Sequence, residues 1–584
     1  MYSSMASKNY SFYTIFVFFI FVFTNSEFSP LIDPLPSVYF SFEDYFPGVE
    51  IPLGKWELLH KSVGISAMHM QLLNNDQIII FDRTDFGPSN LSLPTGKCIS
   101  SSTTENDGVD CTAHSLLYDV VSNTFRPLTV LSDTWCSSGS VDPTGKLIQT
   151  GGYALGERVI RTFTPCARVD ADCDWDELPV ALSSRRWYAS NLLLPDGHVI
   201  IVGGRGAHNY EFFPKSPGPL YGGRFLLHFL ADTWDGKNTE NNLYPFLHLL
   251  PNGHIFIFAN NKSMEFDYVT GKIIKNFPVL PTKERRNYPS TGSSVLLPIN
   301  GNSSSPELEI LICGGAYPES FDLADKENVY VAASRTCGRM KITDPHPQWS
   351  IETMPMSRVM PDMIVLPNGD VLIINGAGNG TAGWENADNP VLKPILYRTY
   401  ESDSTRRFVV LNPTKIPRLY HSSAILVADG RVIVGGSNPH VRYNFTHGVK
   451  FPTELSLEAF SPPYLDQQYA VLRPSILAVE TESMTVTYGQ NVSVTYALGM
   501  YKQELGVKVT MLLPPFTTHS FGMNQRLVVL GEEKVSKLST YGYKVTVKVP
   551  ENVNVAPPGF YLLFVVHAGV PSHGVWVQLK RPSS

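Results

Sequence analysis

Five side chains in this sequence are of types that ligate a transition metal or carry redox chemistry: Cys136, Tyr188, Tyr420, His421 and His519. Imidazole nitrogen, phenolate oxygen and thiolate sulfur are all metal ligands once deprotonated. Their spacing matters as much as their type. Cys136 stands nine residues ahead of Gly145, Tyr188 nine ahead of Gly197, and Tyr420 ten ahead of Gly430. Each of these glycines belongs to a copy of one repeated hairpin. Corresponding positions in rotationally related repeats converge on one end of an axis, so these side chains can meet. Tyr420 and His421 are adjacent, and adjacent residues on a regular strand point to opposite faces. Both reach one metal only where the backbone bends or the strand has ended. His519 lies in a segment running from Leu513 to Arg526, between expected strands Val507–Leu513 and Leu527–Leu530. A connection this long exceeds the usual hairpin loop, and long ordered loops tend to carry function.

The elements that must position these groups are legible as repeats. Leu194-Pro-Asp-Gly-His-Val-Ile-Ile-Val-Gly-Gly204 matches Leu366-Pro-Asn-Gly-Asp-Val-Leu-Ile-Ile-Asn-Gly376. Further copies turn at Gly145, Gly253 and Gly430; a weaker one spans Leu72–Phe81, and one from Leu297 to Gly315 carries an inserted polar loop. Asp-Gly or Asn-Gly supplies the positive φ of a tight turn. The Val/Ile run after it reads as a strand buried on both faces, and the Gly-Gly end permits close packing near an axis. Seven copies about 50 to 70 residues apart predict a kelch-type propeller of seven four-stranded blades. Beyond Tyr464 the pattern changes to alternating strands, such as Met484–Tyr488, Val507–Leu513, Tyr543–Val549 and Phe560–Val566. These predict an immunoglobulin-like β-sandwich. The chain is therefore expected to be all-β, with a propeller over residues 27–465 and a sandwich over 470–584.

Residues 1–26 read differently. Lys8 precedes an apolar run from Tyr13 to Phe23, and Thr24 and Ser26 offer small residues for cleavage. The run is short for a membrane span and reads as a secretory signal peptide. A secreted, extracellular protein is expected, with no membrane association once the signal is removed and with the cell wall as one destination. Sequons begin at Asn90, Asn261, Asn302, Asn379, Asn444 and Asn491, candidate glycan sites on surface loops. A net charge of −7 without a basic run excludes a nucleic-acid partner. Six of the seven cysteines form sequence neighbours, 98/111, 166/173 and 313/337, separations suited to disulfides in an oxidising compartment, although six cysteines allow 15 pairings. Cys136 is left over, either a buried free thiol or a residue with a task.

At these residues the sequence resembles the galactose oxidase/glyoxal oxidase copper-radical oxidases, over nearly the whole mature chain, and looks closest to the glyoxal oxidase-like branch. The resemblance implies a copper cofactor and a thioether between Cys136 and Tyr188 that serves as a one-electron redox group. It makes Tyr420 the axial tyrosine, and His421 and His519 the imidazole ligands. It further implies that Tyr420 takes the proton of a bound substrate hydroxyl while a Tyr188 radical takes the carbon-bound hydrogen, with dioxygen reduced to hydrogen peroxide. The substrates so implied are small aldehydes as their hydrates, or alternatively saccharide primary alcohols such as galactose; a monomer is expected. In galactose oxidase a tryptophan follows the corresponding Gly-Gly and stacks over the cofactor. Here Gly203-Gly204 is followed by Arg205, and the carbohydrate-binding N-terminal module is absent, which favours aldehydes. Arg205, His208 and Tyr210 are next in line to border the site, Tyr210 equally suiting packing within its blade. Two rivals stand beside this reading. A secreted propeller that only binds needs no ligand set, and a glycosidase needs paired carboxylates, for which only Asp362 and Asp370, the latter in a hairpin turn, come into question.

Overall fold

The computed structural model describes residues 52–101, 108–166, 172–236, 240–502 and 506–581, all within one compact unit. The expected signal segment lies outside them. Among the described residues no helix is long and apolar enough to cross a membrane.

The expected hairpins each build one blade. The innermost strands are His69–Leu72, Ser138–Val141, Ala189–Leu193, Phe246–Leu249, Gly292–Leu296, Asp362–Val365 and Ser423–Leu426. Each turns back through a β-rich second strand, for example Val199–Gly203 and Ile255–Ala259, whose residues are all buried. Two further strands complete each four-stranded sheet, giving seven blades among the described residues. The ring closes non-locally: Lys55–His60 pairs antiparallel with Leu457–Ser461, so the start of the propeller completes its last blade. Backbone hydrogen bonds thereby tie the two ends of some 400 residues together.

One device recurs at the inner rim. Arg161, Arg186, Arg286, Arg358 and Arg418 are buried, and each donates through Nη1 to the carbonyl ending a second strand: Gly151, Gly203, Gly314, Asn375 and Gly436 respectively. Those five acceptors all have φ between 64° and 76°. That left-handed conformation explains why the strand ends in glycine, or asparagine once. Arg186 and Arg418 also pair with buried Glu211 and Glu458, at 2.8 and 2.7 Å. A buried guanidinium with its charge matched and its donors filled holds the segment leading to the axis in one place.

The sandwich follows. Asn491–Ala497 and Gly542–Lys548 alternate between buried and half-buried residues, the mark of a sheet with one face on a core. The long strand Arg526–Lys537 pairs with Val507–Leu513 through its first half and with Gly542–Lys548 through its second, shifting register at Glu532/Lys534. It also anchors the sandwich to the propeller, because Val528 and Val529 pair with Ile299 and Asn300.

Cysteine pairing is by neighbours: Cys98–Cys111, Cys166–Cys173 and Cys313–Cys337 form disulfides. Cys136 is free and fully buried.

Candidate metal centre

The segments entering the innermost strands carry the site. Cys136, Tyr188, Tyr244, Met360 and His421 all have φ between 50° and 66°, and each stands nine residues ahead of its turn glycine. The left-handed backbone turns the side chain off the blade and onto the axis. His421, rather than Tyr420, is thus the structural counterpart of Cys136 and Tyr188, and Tyr420 reaches the same end one residue earlier. Neither residue is on a strand, since the regular strand begins at Ser423. That resolves how adjacent ligand types serve one site: the two rings stack on each other, 3.8 Å between centroids at 28°. Backbone bonds between blades lock the rim, the Tyr188 N–H donating to Cys136 O and the Tyr244 N–H to Tyr188 O, both at 2.9 Å.

His519 arrives from the opposite direction. The expected long loop is itself a hairpin of Phe516–Thr518 and Phe521–Met523, and Phe516–Thr518 pairs with the innermost strand of the first blade, His69 opposite Thr518. The sandwich thus threads two strands down the propeller axis. His519 and Ser520 form the turn, with φ of 43° and 68°. That is the type I′ pattern usually given to Asn-Gly, here adopted with an imidazole at the tip. Phe516 anchors the finger: it is fully buried, and its ring lies so close to Gly139 that a β-carbon there would stand 2.4 Å from it.

All five sequence-predicted residues are buried and share one cluster. The ligand atoms of Cys136, His421 and His519 lie within 4.8 Å of one another. The Cys136 Sγ is 3.1 Å from His519 Nε2. His519 Nδ1 meets Thr518 Oγ1 at 2.7 Å, which orients Nε2 toward the cluster. The His519 ring stands 4.9, 5.7 and 6.0 Å from those of His421, Tyr420 and Tyr188. Both nitrogens of His421 are buried without a hydrogen-bond partner. A buried imidazole with no partner is costly unless something else takes its lone pair, so the donor set fits a metal ion.

Sequence comparison agrees with the geometry. The family model for the glyoxal oxidase N-terminus matches residues 68–464, and that for the galactose oxidase-like early set domain matches 473–579. Aldehyde oxidase GLOX of Vitis pseudoreticulata is 44% identical over 528 residues, 90% of this chain and 97% of that protein. The chain belongs to the glyoxal oxidase family. Aldehyde oxidase GLOX1 of Arabidopsis thaliana is 42% identical over 90% of this chain and 84% of its own length. Galactose oxidase of Gibberella zeae is more distant, 24% identical over 78% of this chain and 62% of its own. Among solved structures, a fungal alcohol oxidase of the AA5 family in complex with copper has the same fold, with TM-score 0.68 and 19% identity, covering 90% of this chain and all of that one.

Electrostatics at the cluster are set by burial. Burial pushes the phenols of Tyr188 and Tyr420 well above their ordinary range, and neighbouring acidic groups add to it. Burial also drives His421 and His519 well below theirs, helped at His421 by His519 and at His519 by His69. Both imidazoles are therefore neutral, with lone pairs available, while the phenols hold their protons until a cation displaces them.

The structure adds residues that sequence reasoning passed over. Tyr288 hydrogen-bonds the phenols of both Tyr188 and Tyr420, accepting from Tyr188 OH at 3.0 Å and meeting Tyr420 OH at 2.9 Å, and its ring stacks on Tyr188 with centroids 4.3 Å apart. A signal for it existed. Arg286-Asn-Tyr288 repeats the Arg-x-Tyr of Arg186-Trp-Tyr188 and Arg418-Leu-Tyr420. The Tyr244 hydroxyl donates to Ser137 O at 2.9 Å, and its ring faces His519 with centroids 5.2 Å apart. Trp384 lies edge-on to both Tyr420 and His421, at 5.2 and 5.1 Å. Of the residues expected to border the site, Arg205 does so, its guanidinium 4.8 Å from the Trp187 ring centre and 5.5 Å from that of Tyr188. Tyr210 stacks instead on Phe225 within its blade, at 5.2 Å, and His208 neighbours Trp234. The carboxylates weighed for a glycosidase have separate partners, Asp362 with Asn375 and Asp370 with Asn368.

Proposed function

We propose that this chain is a secreted copper-radical oxidase that converts small aldehydes, as their hydrates, to carboxylic acids and reduces dioxygen to hydrogen peroxide. The observation that carries it is the cluster itself. Two buried neutral imidazoles, one with no partner at either nitrogen, face a thiol and two phenols at the end of the propeller axis. The family membership and the plant relatives, which bear the name aldehyde oxidase, support the substrate class.

Tyr420, His421, His519 and Tyr188 would hold the metal. Copper bound there supplies a one-electron acceptor and a charge that makes bound hydroxyls acidic. Cys136 Sγ is in hydrogen-bonding reach of the Tyr188 hydroxyl, and the ring carbon ortho to that hydroxyl is the site of the thioether. Its formation removes the thiol hydrogen and one ring hydrogen, and the two electrons and two protons pass to dioxygen as hydrogen peroxide. In turnover the Tyr420 oxygen takes the proton of a substrate hydroxyl, and the Tyr188 radical oxygen takes the hydrogen on the same carbon. An aldehyde hydrate presents both on one carbon, so positioning it needs little beyond these two oxygens. Tyr288, bonded to both, keeps them in register.

The test combines peptide mapping with a peroxide-coupled assay on the copper-treated, secreted protein. Peptides of Cys136 and Tyr188 should appear joined and lighter by two hydrogens, and glyoxal or methylglyoxal should outpace galactose. Separate peptides with an alkylatable Cys136 would refute the radical cofactor. Faster turnover of galactose would refute only the aldehyde assignment, and absence of copper binding would favour a propeller that merely binds.

A further inference from the structure

Arg205 occupies the place that follows the Gly-Gly of the Tyr188 hairpin. Its N–H donates to Trp187 O at 2.7 Å, pinning the backbone beside the residue preceding Tyr188. Its guanidinium lies over two rings in contact with each other, Trp187 and Tyr188, whose centroids are 4.8 Å apart. The opposing charge is Glu240, whose Oε1 is 3.9 Å from Arg205 Nε. Glu240 also accepts from the Gly206 N–H at 3.3 Å. The Arg205 side chain is 41% exposed and that of Glu240 17%. A cation is attracted by the electron density of an aromatic face, and it favours whichever redox state of a nearby group carries more negative charge.

We propose that Arg205 sets the reduction potential of the Tyr188 radical, holding it high, and that Glu240 trims that effect. The inference rests on the radical reading of Tyr188 given above. Oxidation of a Tyr188 phenolate removes one electron and no proton, leaving a neutral radical. The fixed positive charge stabilises the phenolate and does nothing comparable for the neutral product, so the couple becomes more oxidising. The result is a cofactor that is a stronger hydrogen-atom acceptor and is harder to generate. Arg205 is a positioning residue for charge: its guanidinium lies over the Tyr188 ring face.

The experiment is a mediated spectroelectrochemical titration of copper-loaded, cross-linked protein, following the optical band of the radical. Arg205→Met should shift the radical/phenolate equilibrium at least tenfold toward the radical, a fall in midpoint of about 59 mV, with copper content and cross-link unchanged. Arg205→Lys should retain part of the wild-type value. Glu240→Gln should move the midpoint the opposite way, and higher ionic strength should narrow the gap between wild type and Arg205→Met. Opposite signs and salt dependence are signatures of charge that altered packing does not mimic. Equal midpoints in wild type, Arg205→Met and Glu240→Gln, with the band present, overturn the role of Arg205. Absence of the band and cross-link from the wild type would instead overturn the radical reading.

Discussion

One close contact helps seat the finger that delivers His519, and adding a methyl there tests how the site is assembled. Gly139 lies in the innermost strand Ser138–Val141, three residues after Cys136. In Gly139→Ala the new β-carbon would stand 2.4, 2.5 and 2.8 Å from three ring carbons of Phe516. Carbon atoms pack at roughly 3.5–4.0 Å, so the ring must withdraw by about 1 Å. Overpacking of this kind costs about 1–3 kcal/mol. Phe516 lies three residues before His519 and is paired through the backbone to Gln71. The ring cannot retreat without moving the finger, and the strain therefore falls on the state in which His519 is seated. Full expression in metal binding would weaken copper affinity about 5- to 150-fold. The assay is copper titration against a competing chelator, with thermal unfolding run alongside to show that the propeller is intact. Phe516→Leu in the Gly139→Ala background should recover most of the affinity, because it removes the ring carbons that collide. Wild-type copper affinity in Gly139→Ala would refute the account of how His519 is positioned. Loss that Phe516→Leu does not relieve would refute the ring as its cause.

Three further outcomes follow from the same geometry. His421→Ala and His519→Ala should each abolish copper retention and peroxide release while leaving the thermal transition within a few degrees of wild type, since neither residue is on a blade strand; retained turnover in either would remove it from the site. Copper affinity should fall as pH falls, because the metal must displace phenol protons that burial holds tightly at Tyr188 and Tyr420; a pH-independent affinity between pH 5 and 8 would contradict phenolate ligation. Asp362→Asn should stabilise the propeller at neutral pH. Burial raises the Asp362 carboxyl from 3.8 to about 7, so the folded state keeps a proton that the unfolded state loses as pH rises above about 4. The carboxyl therefore costs stability that grows from pH 4 to 7 and then levels, up to about 4 kcal/mol. Calorimetry should show no gain in Asp362→Asn at pH 4 and the full gain at pH 8; an equal gain at both would refute the titration.

Most of the chemistry here was legible in local sequence. The Asp-Gly and Asn-Gly turns followed by β-branched runs specify hairpins from near-neighbour conformational preferences, and seven of them leave little but a closed ring. Cysteine neighbours proved to be disulfide partners because each pair lies within one hairpin or loop. Cys136, Tyr188, Tyr420, His421 and His519 stood out by residue type, and all five reach one cluster. What tertiary structure alone decided is how they get there. Nothing in the dipeptide Tyr420-His421 states that the left-handed turn falls on His421, in a segment that Arg418 anchors to Gly436 O and that the Gly376 N–H of the neighbouring blade ties at Arg418 O. The stretch from Leu513 to Arg526 lacks the alternation of a long strand, so its folding into a finger along the axis depends on pairing with His69–Leu72, more than 400 residues away. Tyr288 comes to lie on the Tyr188 ring from another blade. Periodicity records which residues share a face, whereas contacts between faces of separate blades appear only once the ring has closed.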